Sequence, residues 1–171
     1  MDVRLSQIEM LVLDVDGVLT DGSITMDKDG EEIKTFHVQD GLRLKMLQRA
    51  GILVAVITGR SSKALVARMK ELGIELFWHG VKDKAVALTE LSEKTKIGFS
   101  QMAAIGDDLP DLAMFKRVGF SVAVQNAHPI IQEKANLILS QTGGRGAVSD
   151  FCETLLHAKG LWEKALEPFI I

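Results

Sequence analysis

The chain has 171 residues, 47% of them hydrophobic, and a formal net charge of −3. This composition excludes a disordered protein and favours one folded domain over residues 1–171. The slight negative charge gives no basis for binding nucleic acid or an anionic membrane surface. The N-terminus lacks the pattern of a signal peptide, and no apolar run has the length of a membrane span. Because the one cysteine, Cys152, cannot form an intrachain disulfide, we expect a cytoplasmic protein.

Short apolar runs alternate with amphipathic runs along the chain. The predicted strands are Met10–Val15, Leu53–Thr58, Glu75–Trp78, Met102–Ile105, Phe120–Val124 and Leu137–Leu139. The predicted helices are Gly41–Ala50, Ser61–Leu72, Asp83–Thr95, Asp108–Arg117 and Ala147–Ala158. This alternation predicts an α/β fold, a three-layer Rossmann-like parallel sheet covered by helices on both faces. The ligand site of such a sheet lies beyond the carboxyl ends of its strands.

A β-hairpin is predicted directly after the first strand, at about residues 23–36. Its strands are Ser23–Met26 and Glu31–Phe36, and Asp29-Gly30 supplies the turn. Because an isolated two-stranded hairpin is marginally stable in water, we expect it to pack on something, such as a neighbouring subunit.

Two later segments have distinct compositions. Thr142–Gly146 is rich in glycine and is the most flexible-looking stretch of the chain. The C-terminal tail, about residues 159–171, holds an apolar run from Leu161 to Ile171 that we expect to dock on its own domain or on a partner.

Two carboxylates one residue apart, Asp14 and Asp16, end the first predicted strand, and Gly17 follows at once. Burying charge is costly unless a cation or hydrogen-bond donors compensate it. The pair therefore indicates a metal ion or a tuned nucleophile. The alternative is that one acid caps a helix and the other is solvated.

Three other polar clusters follow predicted strands, and all would meet Asp14 and Asp16 at one rim of the sheet. They are Thr58-Gly59-Arg60, Lys82-Asp83-Lys84 and Gly106–Asp111. Carboxylates supply the oxygen ligands that Mg²⁺ takes, and a carboxylate can attack phosphorus. A threonine hydroxyl and a lysine can stabilise the transferring phosphoryl group. Taken singly, each cluster could instead be a helix cap or a solvated charge. Together they favour phosphoryl transfer through a covalent aspartate.

These motifs, in this order, resemble those of the haloacid dehalogenase-like phosphatase superfamily. Asp14–Val18 looks like its first motif, Thr58–Arg60 its second, Lys84 its third, and Gly106–Asp108 with Asp111 its fourth. The superfamily commonly carries a cap domain after the first or the second motif. Here the chain has room only for the hairpin after the first motif and for nothing after the second, so the resemblance implies a capless member.

The resemblance also implies a role for each motif residue. Asp14 would be the nucleophile and Asp16 the general acid and base. Mg²⁺ would be held by the Asp14 carboxylate, the Asp16 backbone carbonyl and Asp107. The remaining implied site residues are Thr58 and Lys84, which would hold the phosphoryl group, and Asp108 and Asp111, which would support the site.

Three further stretches resemble the family of 3-deoxy-D-manno-octulosonate 8-phosphate phosphatases. They are Asp16–Gly22, Phe36–Gly41 and Gly143–Val148. That family implies a Mg²⁺-dependent homotetramer in lipopolysaccharide precursor synthesis, in which neighbouring subunits cover each active site. The implied contacts to a phosphorylated sugar acid are Asp16, His37, Val38, Gln39, Asp40, Gly41, Thr58, Gly59, Arg60, Arg68, Lys84 and Arg145.

Three alternatives remain open at this point. A nine-carbon sugar-acid phosphate or another small phosphomonoester would use the same core chemistry. A phosphorylation-switched signalling domain also gathers acids, a threonine and a lysine at one sheet rim, but its order of motifs differs from this one. A structural module that has lost activity would lack core motif residues, and all of them are present here.

Overall fold

A computed structural model describes residues 2–170, so Met1 and Ile171, the last residue of the predicted tail, lie outside the described part. The strands are β1 Met10–Leu13, β2 Thr25–Met26, β3 Glu32–Ile33, β4 Leu53–Ile57, β5 Leu76–Trp78, β6 Met102–Gly106, β7 Phe120–Ala123 and β8 Leu137–Ile138. The helices are α1 Val38–Arg49, α2 Lys63–Leu72, α3 Lys84–Thr95, α4 Leu112–Phe115, α5 Pro129–Lys134, α6 Ala147–Ala158 and α7 Trp162–Leu166. Short 3-10 helices lie at Val3–Gln7, Phe99–Gln101, Leu109–Asp111 and Glu167–Phe169.

Six strands form one parallel sheet in the order β5-β4-β1-β6-β7-β8. Every residue of β1, β6 and β7 is buried, as their uninterrupted apolar sequences predict for strands covered on both faces. After β1, the chain adds β4 and β5 on one side of β1, and then adds β6, β7 and β8 on its other side. The order of strands therefore reverses beside β1, where open α/β sheets bind their ligands.

Helices cover both faces of the sheet. α1 packs against α2, α6 and α7, whereas α3, α4 and α5 pack as a second group. Right-handed crossovers place these two groups on opposite faces. The predicted three-layer α/β architecture is confirmed. No helix within residues 2–170 combines the length and the apolarity needed to cross a bilayer.

Several boundaries differ from the predicted ones. The predicted helix Asp108–Arg117 is a 3-10 turn followed by the single turn of α4, because Pro110 and the side chain of Asp108 set the 3-10 geometry at its start. α5 and α7 were not predicted, since their five or six residues are too short for a helical period to stand out.

The hairpin is present but shorter than predicted, with two residues in each strand. Asp27 closes its turn: the backbone N–H donates to the Glu31 carbonyl at 3.0 Å, and the carboxylate accepts from Asp29 and Glu31. Between β1 and α1 the described chain holds only this hairpin, which agrees with a capless fold.

The glycine-rich segment and the tail are both packed. Gly143 is buried, because it lies directly on the backbone of Gly17, where a Cβ atom would clash with the carbonyl oxygen. This part of the segment is therefore packed against the loop after β1, and the flexibility expected from its composition stays a prediction. The tail forms α7 against α6, and the ring of Trp162 lies 4.9 Å from that of His157.

Candidate active site

The loop after β1 places Asp14 and Asp16. Leu13 pairs with Val56 of β4 and with Ile105 of β6, so Asp14 is level with the ends of both neighbouring strands. Three successive N–H groups, from residues 18 to 20, then donate to the Val15 carbonyl at 2.9–3.2 Å. This tight turn fixes the backbone of Asp16 just beyond the edge of the sheet.

Gly17 makes room for a carboxylate from another strand. Its φ of 95° is a left-handed conformation that favours glycine, and a Cβ here would clash with the carboxylate of Asp107. The first and fourth motifs are therefore in van der Waals contact across the neighbouring strands β1 and β6.

Thr58 and Lys84 reach the same edge from β4 and α3. Thr58 is 1% exposed, and its backbone N–H donates to Trp78 of β5. The Asp83 carboxylate caps α3 by accepting from Ala85 at 2.8 Å, which places Lys84 in the first turn. A positive charge is disfavoured at this end of a helix, so a lysine here needs a partner.

Lys84 has two such partners. Its Nζ lies 2.7 Å from Asp14 Oδ1 and 2.6 Å from Asp111 Oδ1, and all three side chains are less than a tenth exposed. The second oxygen of Asp111 accepts the backbone N–H groups of Asp107 and Asp108 at 2.9 and 3.2 Å. Asp111 thus holds both the lysine and the loop that carries Asp107.

Burial and the crowding of carboxylates shift the pKa values of the site. Burial and the charge of Asp111 raise the pKa of Asp14 to about 6, although Lys84 acts in the opposite direction. Burial raises the pKa of Asp107 to about 8, with help from the charges of Asp14, Asp111 and Asp108. Burial lowers the pKa of Lys84, but its two carboxylate partners more than offset this and leave it raised.

A divalent cation fits the group of acids. Carboxylate oxygens of Asp14, Asp107 and Asp111 lie within 4.8 Å of one another. Asp107 Oδ1 is buried and has no hydrogen-bond partner within residues 2–170, which leaves an oxygen ligand uncompensated. Hard oxygen donors in this number are what Mg²⁺ takes, and a cation would offset the burial and the repulsion that together raise the two pKa values.

A ring of alternating charge joins this edge to the hairpin. Lys34 Nζ bonds to Asp16 Oδ1 and lies 3.0 Å from Glu32 Oε2. Glu32 Oε1 bonds to the guanidinium of Arg60, whose Nε lies 4.0 Å from Asp16 Oδ2. Sequence reasoning missed Glu32 and Lys34. Their spacing of two residues places them on one face of a strand, which was the available signal.

These side chains line one cleft of about 340 Å³. Most of the residues predicted for the site are brought together there, along with Gly22 and Pro110, which were not predicted. The lining residues are Asp14, Asp16, Gly22, Thr58, Gly59, Arg60, Lys84, Asp107, Asp108, Pro110 and Asp111. The volume is sufficient for a small phosphorylated ligand.

The other predicted substrate contacts lie outside this cleft. His37, Asp40, Gly41 and Arg68 line a separate small pocket beside the start of α1. Asp40 is 1% exposed and accepts the backbone N–H of Ser149 at 2.8 Å, which ties α1 to α6. Burial raises the pKa of this carboxyl. Val38 and Gln39, in the first turn of α1, are exposed.

Two predicted arginine contacts also lie outside the cleft. The Arg68 guanidinium bonds to Glu71 at 2.9 Å and lies over the Phe36 ring, 5.6 Å from its centroid. Arg145 is exposed and lies 3.9 Å from Asp21. Contacts of these residues with a substrate stay predictions.

A parallel sheet with carboxylates, a threonine and a lysine at its carboxyl edge is the architecture of an α/β phosphoryl-transfer enzyme. A family model described as haloacid dehalogenase-like hydrolase matches residues 78–151. Nearly the whole chain is similar to 3-deoxy-D-manno-octulosonate 8-phosphate phosphatase KdsC from Escherichia coli K12, at 42% identity over 95% of this chain and 86% of that protein. The chain therefore belongs to the haloacid dehalogenase-like hydrolases, in the same family as these KdsC proteins.

Solved structures agree with this assignment. The crystal structure of 3-deoxy-D-manno-octulosonate 8-phosphate phosphatase from Yersinia pestis matches with a TM-score of 0.92 and 44% identity, over 94% of this chain and 86% of that one. The Moraxella catarrhalis phosphatase in complex with a magnesium ion, a phosphate ion and KDO matches with a TM-score of 0.94 and 42% identity, over 97% and 95% of the two chains. Mg²⁺ is accordingly the cofactor of this chain, as its acidic cluster indicates.

Proposed function

We propose that this protein is a Mg²⁺-dependent phosphatase that releases phosphate from 3-deoxy-D-manno-octulosonate 8-phosphate (KDO 8-phosphate), a step of lipopolysaccharide precursor synthesis. The observation that carries the proposal is the convergence of Asp14, Thr58 and Lys84 with the acids of the fourth motif in one cleft. The similarity to phosphatases of the same name over nearly the full chain supports the choice of substrate.

The chain supplies a nucleophile for the first step. A carboxylate oxygen of Asp14 attacks phosphorus, so that an Asp14–phosphorus bond forms and the bond to the sugar oxygen breaks. Asp16 gives its proton to that leaving oxygen. Thr58 and Lys84 bind the phosphoryl oxygens and stabilise the charge that develops on them. A bound Mg²⁺ would neutralise phosphate charge and orient the group for this attack.

The second step returns the enzyme to its starting state. Asp16, now a carboxylate, takes a proton from water, and the oxygen of that water attacks phosphorus. The Asp14–phosphorus bond breaks, inorganic phosphate is formed and the Asp14 carboxylate is restored. Asp14 and Asp107 with the Asp16 carbonyl hold the metal in this proposal, and Asp108 and Asp111 support them.

The hairpin supports a homotetramer in which neighbouring subunits cover each active site. Its side chains are inverted relative to a hairpin exposed to water: Glu32 and Lys34 turn inward, while Ile24, Met26 and Ile33 are 52–59% exposed. Such an apolar surface on a marginal two-stranded element indicates a protein partner. We place the enzyme in the cytoplasm, because its one cysteine is free and buried.

Initial rates of phosphate release from KDO 8-phosphate, with and without Mg²⁺, test the proposal. Rapid release that needs the metal is expected. A panel that adds nine-carbon sugar-acid phosphates and simple phosphomonoesters defines specificity. Faster turnover of a nine-carbon substrate would reassign the substrate within the same chemistry, and a stable phosphoprotein with negligible turnover would favour a signalling domain.

A further inference from the structure

We propose that two residues of the hairpin, Glu32 in strand β3 and Lys34 just after it, are positioning residues of the active site: Lys34 orients the carboxylate of Asp16, and Glu32 orients the guanidinium of Arg60. The proposal rests on the phosphatase chemistry above, but it does not depend on which phosphorylated sugar acid is the substrate.

Burial sets these two residues apart from the rest of the hairpin. The side chains of Lys34 and Glu32 are 4% and 11% exposed, although the strand positions around them face solvent. Lysine and glutamate are almost never buried unless they are paired. Each is paired here, and the partners belong to the first and second motifs, not to the hairpin itself.

Lys34 binds one carboxylate oxygen of Asp16 and leaves the other oxygen without a hydrogen bond from residues 2–170. Asp16 Oδ1 bonds to Lys34, whereas Oδ2 is buried, makes no hydrogen bond within the described chain and lies 4.0 Å from Arg60 Nε. An acid that must protonate a leaving oxygen has to present one oxygen in a fixed direction. A bond to the other oxygen supplies that constraint, and no other described side chain makes it.

Glu32 acts on Arg60 in the same way. The Arg60 side chain is 43% exposed in the cleft, and its guanidinium would otherwise be free to sample many rotamers. Glu32 Oε1 binds one terminal nitrogen, which leaves the rest of the planar donor fork for an anionic ligand. A guanidinium held in this way suits the carboxylate of a sugar acid.

The hairpin also offers a matched control. Glu31 bonds to Lys63 of α2 at 2.7 Å, so this pair also joins the hairpin to the body of the protein, close to Arg60 in the sequence. Both side chains are at least half exposed, and neither lines the cleft. Loss of the Glu31–Lys63 pair therefore reports any general effect of loosening the hairpin.

The dependence of kcat on the leaving group shows whether Lys34 positions Asp16 or only stabilises the fold. Alkyl phosphates need their poor leaving oxygen protonated, whereas p-nitrophenyl phosphate departs as a stable anion and needs little help. We expect Lys34→Met to lower kcat about tenfold or more on alkyl phosphates, including a phosphorylated sugar acid, and to change kcat on p-nitrophenyl phosphate less than about twofold. Lys34→Arg, which keeps the charge, should recover part of the loss.

Glu32→Gln should raise KM about tenfold for the phosphorylated sugar acid that the wild type hydrolyses fastest, and leave p-nitrophenyl phosphate unaffected. Glu31→Gln and Lys63→Met should match the wild type on every substrate. Equal losses on both substrate classes, or losses matched by the control variants, would overturn the positioning roles. A wild-type enzyme inactive on KDO 8-phosphate would refute that substrate alone, because the leaving-group series does not use it.

Discussion

Lys84 Nζ lies 2.7 Å from Asp14 Oδ1, and both side chains are less than a tenth exposed. The two residues are 70 positions apart in the sequence. They meet because the end of β1 and the start of α3 lie at the same edge of the sheet. A lysine in the first turn of a helix opposes the helix dipole, and this one is compensated by two carboxylates, Asp14 and Asp111. Lys84 therefore favours the ionised form of the proposed nucleophile and opposes the rise in the pKa of Asp14 that burial and Asp111 cause.

Lys84→Met is expected to affect both stability and turnover. It would leave Asp14 and Asp111 buried without their cation, at a cost on the order of 3 kcal/mol in the free energy of unfolding. Loss of a charge that stabilises the phosphoryl group should lower kcat about 10²-fold or more. Urea unfolding at pH 7.5 and initial rates measure these effects. Lys82→Met, at an exposed position nearby, should change neither.

Asp14→Asn is expected to abolish turnover and preserve the fold. The amide cannot attack phosphorus, so kcat should fall by about 10⁴-fold or more. Since burial already disfavours the Asp14 charge, the neutral side chain should leave the melting temperature unchanged or higher at pH 7.5. Asp29→Asn, in the exposed hairpin turn, is the control. Full activity of Asp14→Asn would remove Asp14 as the nucleophile.

The raised pKa values predict how the metal-free protein responds to pH. The pKa of Asp14 rises from 3.8 to about 6, and that of Asp107 from 3.8 to about 8. Between pH 3.8 and about 8, these two carboxyl groups therefore bind more protons in the folded state than in the unfolded state. The free energy of unfolding should accordingly fall as the pH rises from about 5 to 8. Melting temperatures in chelator should decrease over this range.

Mg²⁺ should reverse that trend, because it binds the ionised carboxylates and so stabilises the folded protein most at high pH. Asp107→Asn should flatten the pH dependence in chelator and weaken the effect of the metal. A melting temperature that rises with pH in the metal-free wild type would contradict the raised pKa values, caused by burial and carboxylate crowding, on which this prediction depends.

Much of the fold could be predicted from the sequence, because the central strands carry uninterrupted apolar runs. β1, β4 and β6 are bounded within two residues of their predicted ends, and α6 has the predicted bounds. Elements of one or two turns, such as α4 and α5, could not be predicted. They are determined by packing and by local caps, and too few residues are present to reveal a period.

The site also has a part that the sequence predicts and a part that it does not. Residues directly after strands were predicted to meet, because parallel strands end at one edge, and they line one cleft. The contacts of Lys34 and Arg60 depend on how the hairpin folds back, which no local pattern specifies. Asp40 and Arg68 were selected by resemblance, and their partners in this chain are Ser149 and Glu71.

Gly143→Ala is expected to disturb catalysis from outside the cleft. A Cβ at this position would clash with the Gly17 carbonyl and displace the loop that carries Asp16. Overpacking of this kind costs about 1–3 kcal/mol, and a small misplacement of Asp16 should lower kcat about tenfold. Gly98→Ala is the matched control, since its φ is −72° and its Cβ would meet nothing closer than 3.6 Å. Equal activity of both variants would show that the contact does not position the loop.

Met26→Asp and Ile33→Asp, each introduced alone, are expected to dissociate the proposed tetramer. Both apolar side chains are more than half exposed on the hairpin, so a charge there costs nothing in an isolated subunit but is buried without a partner in an interface. Light scattering coupled to gel filtration should show the wild type as a tetramer and the variants as smaller species. Activity should fall along with assembly if neighbouring subunits cover the cleft. Val86→Asp, at a 54% exposed position on α3, should stay tetrameric and active, whereas a monomeric wild type would refute the assembly.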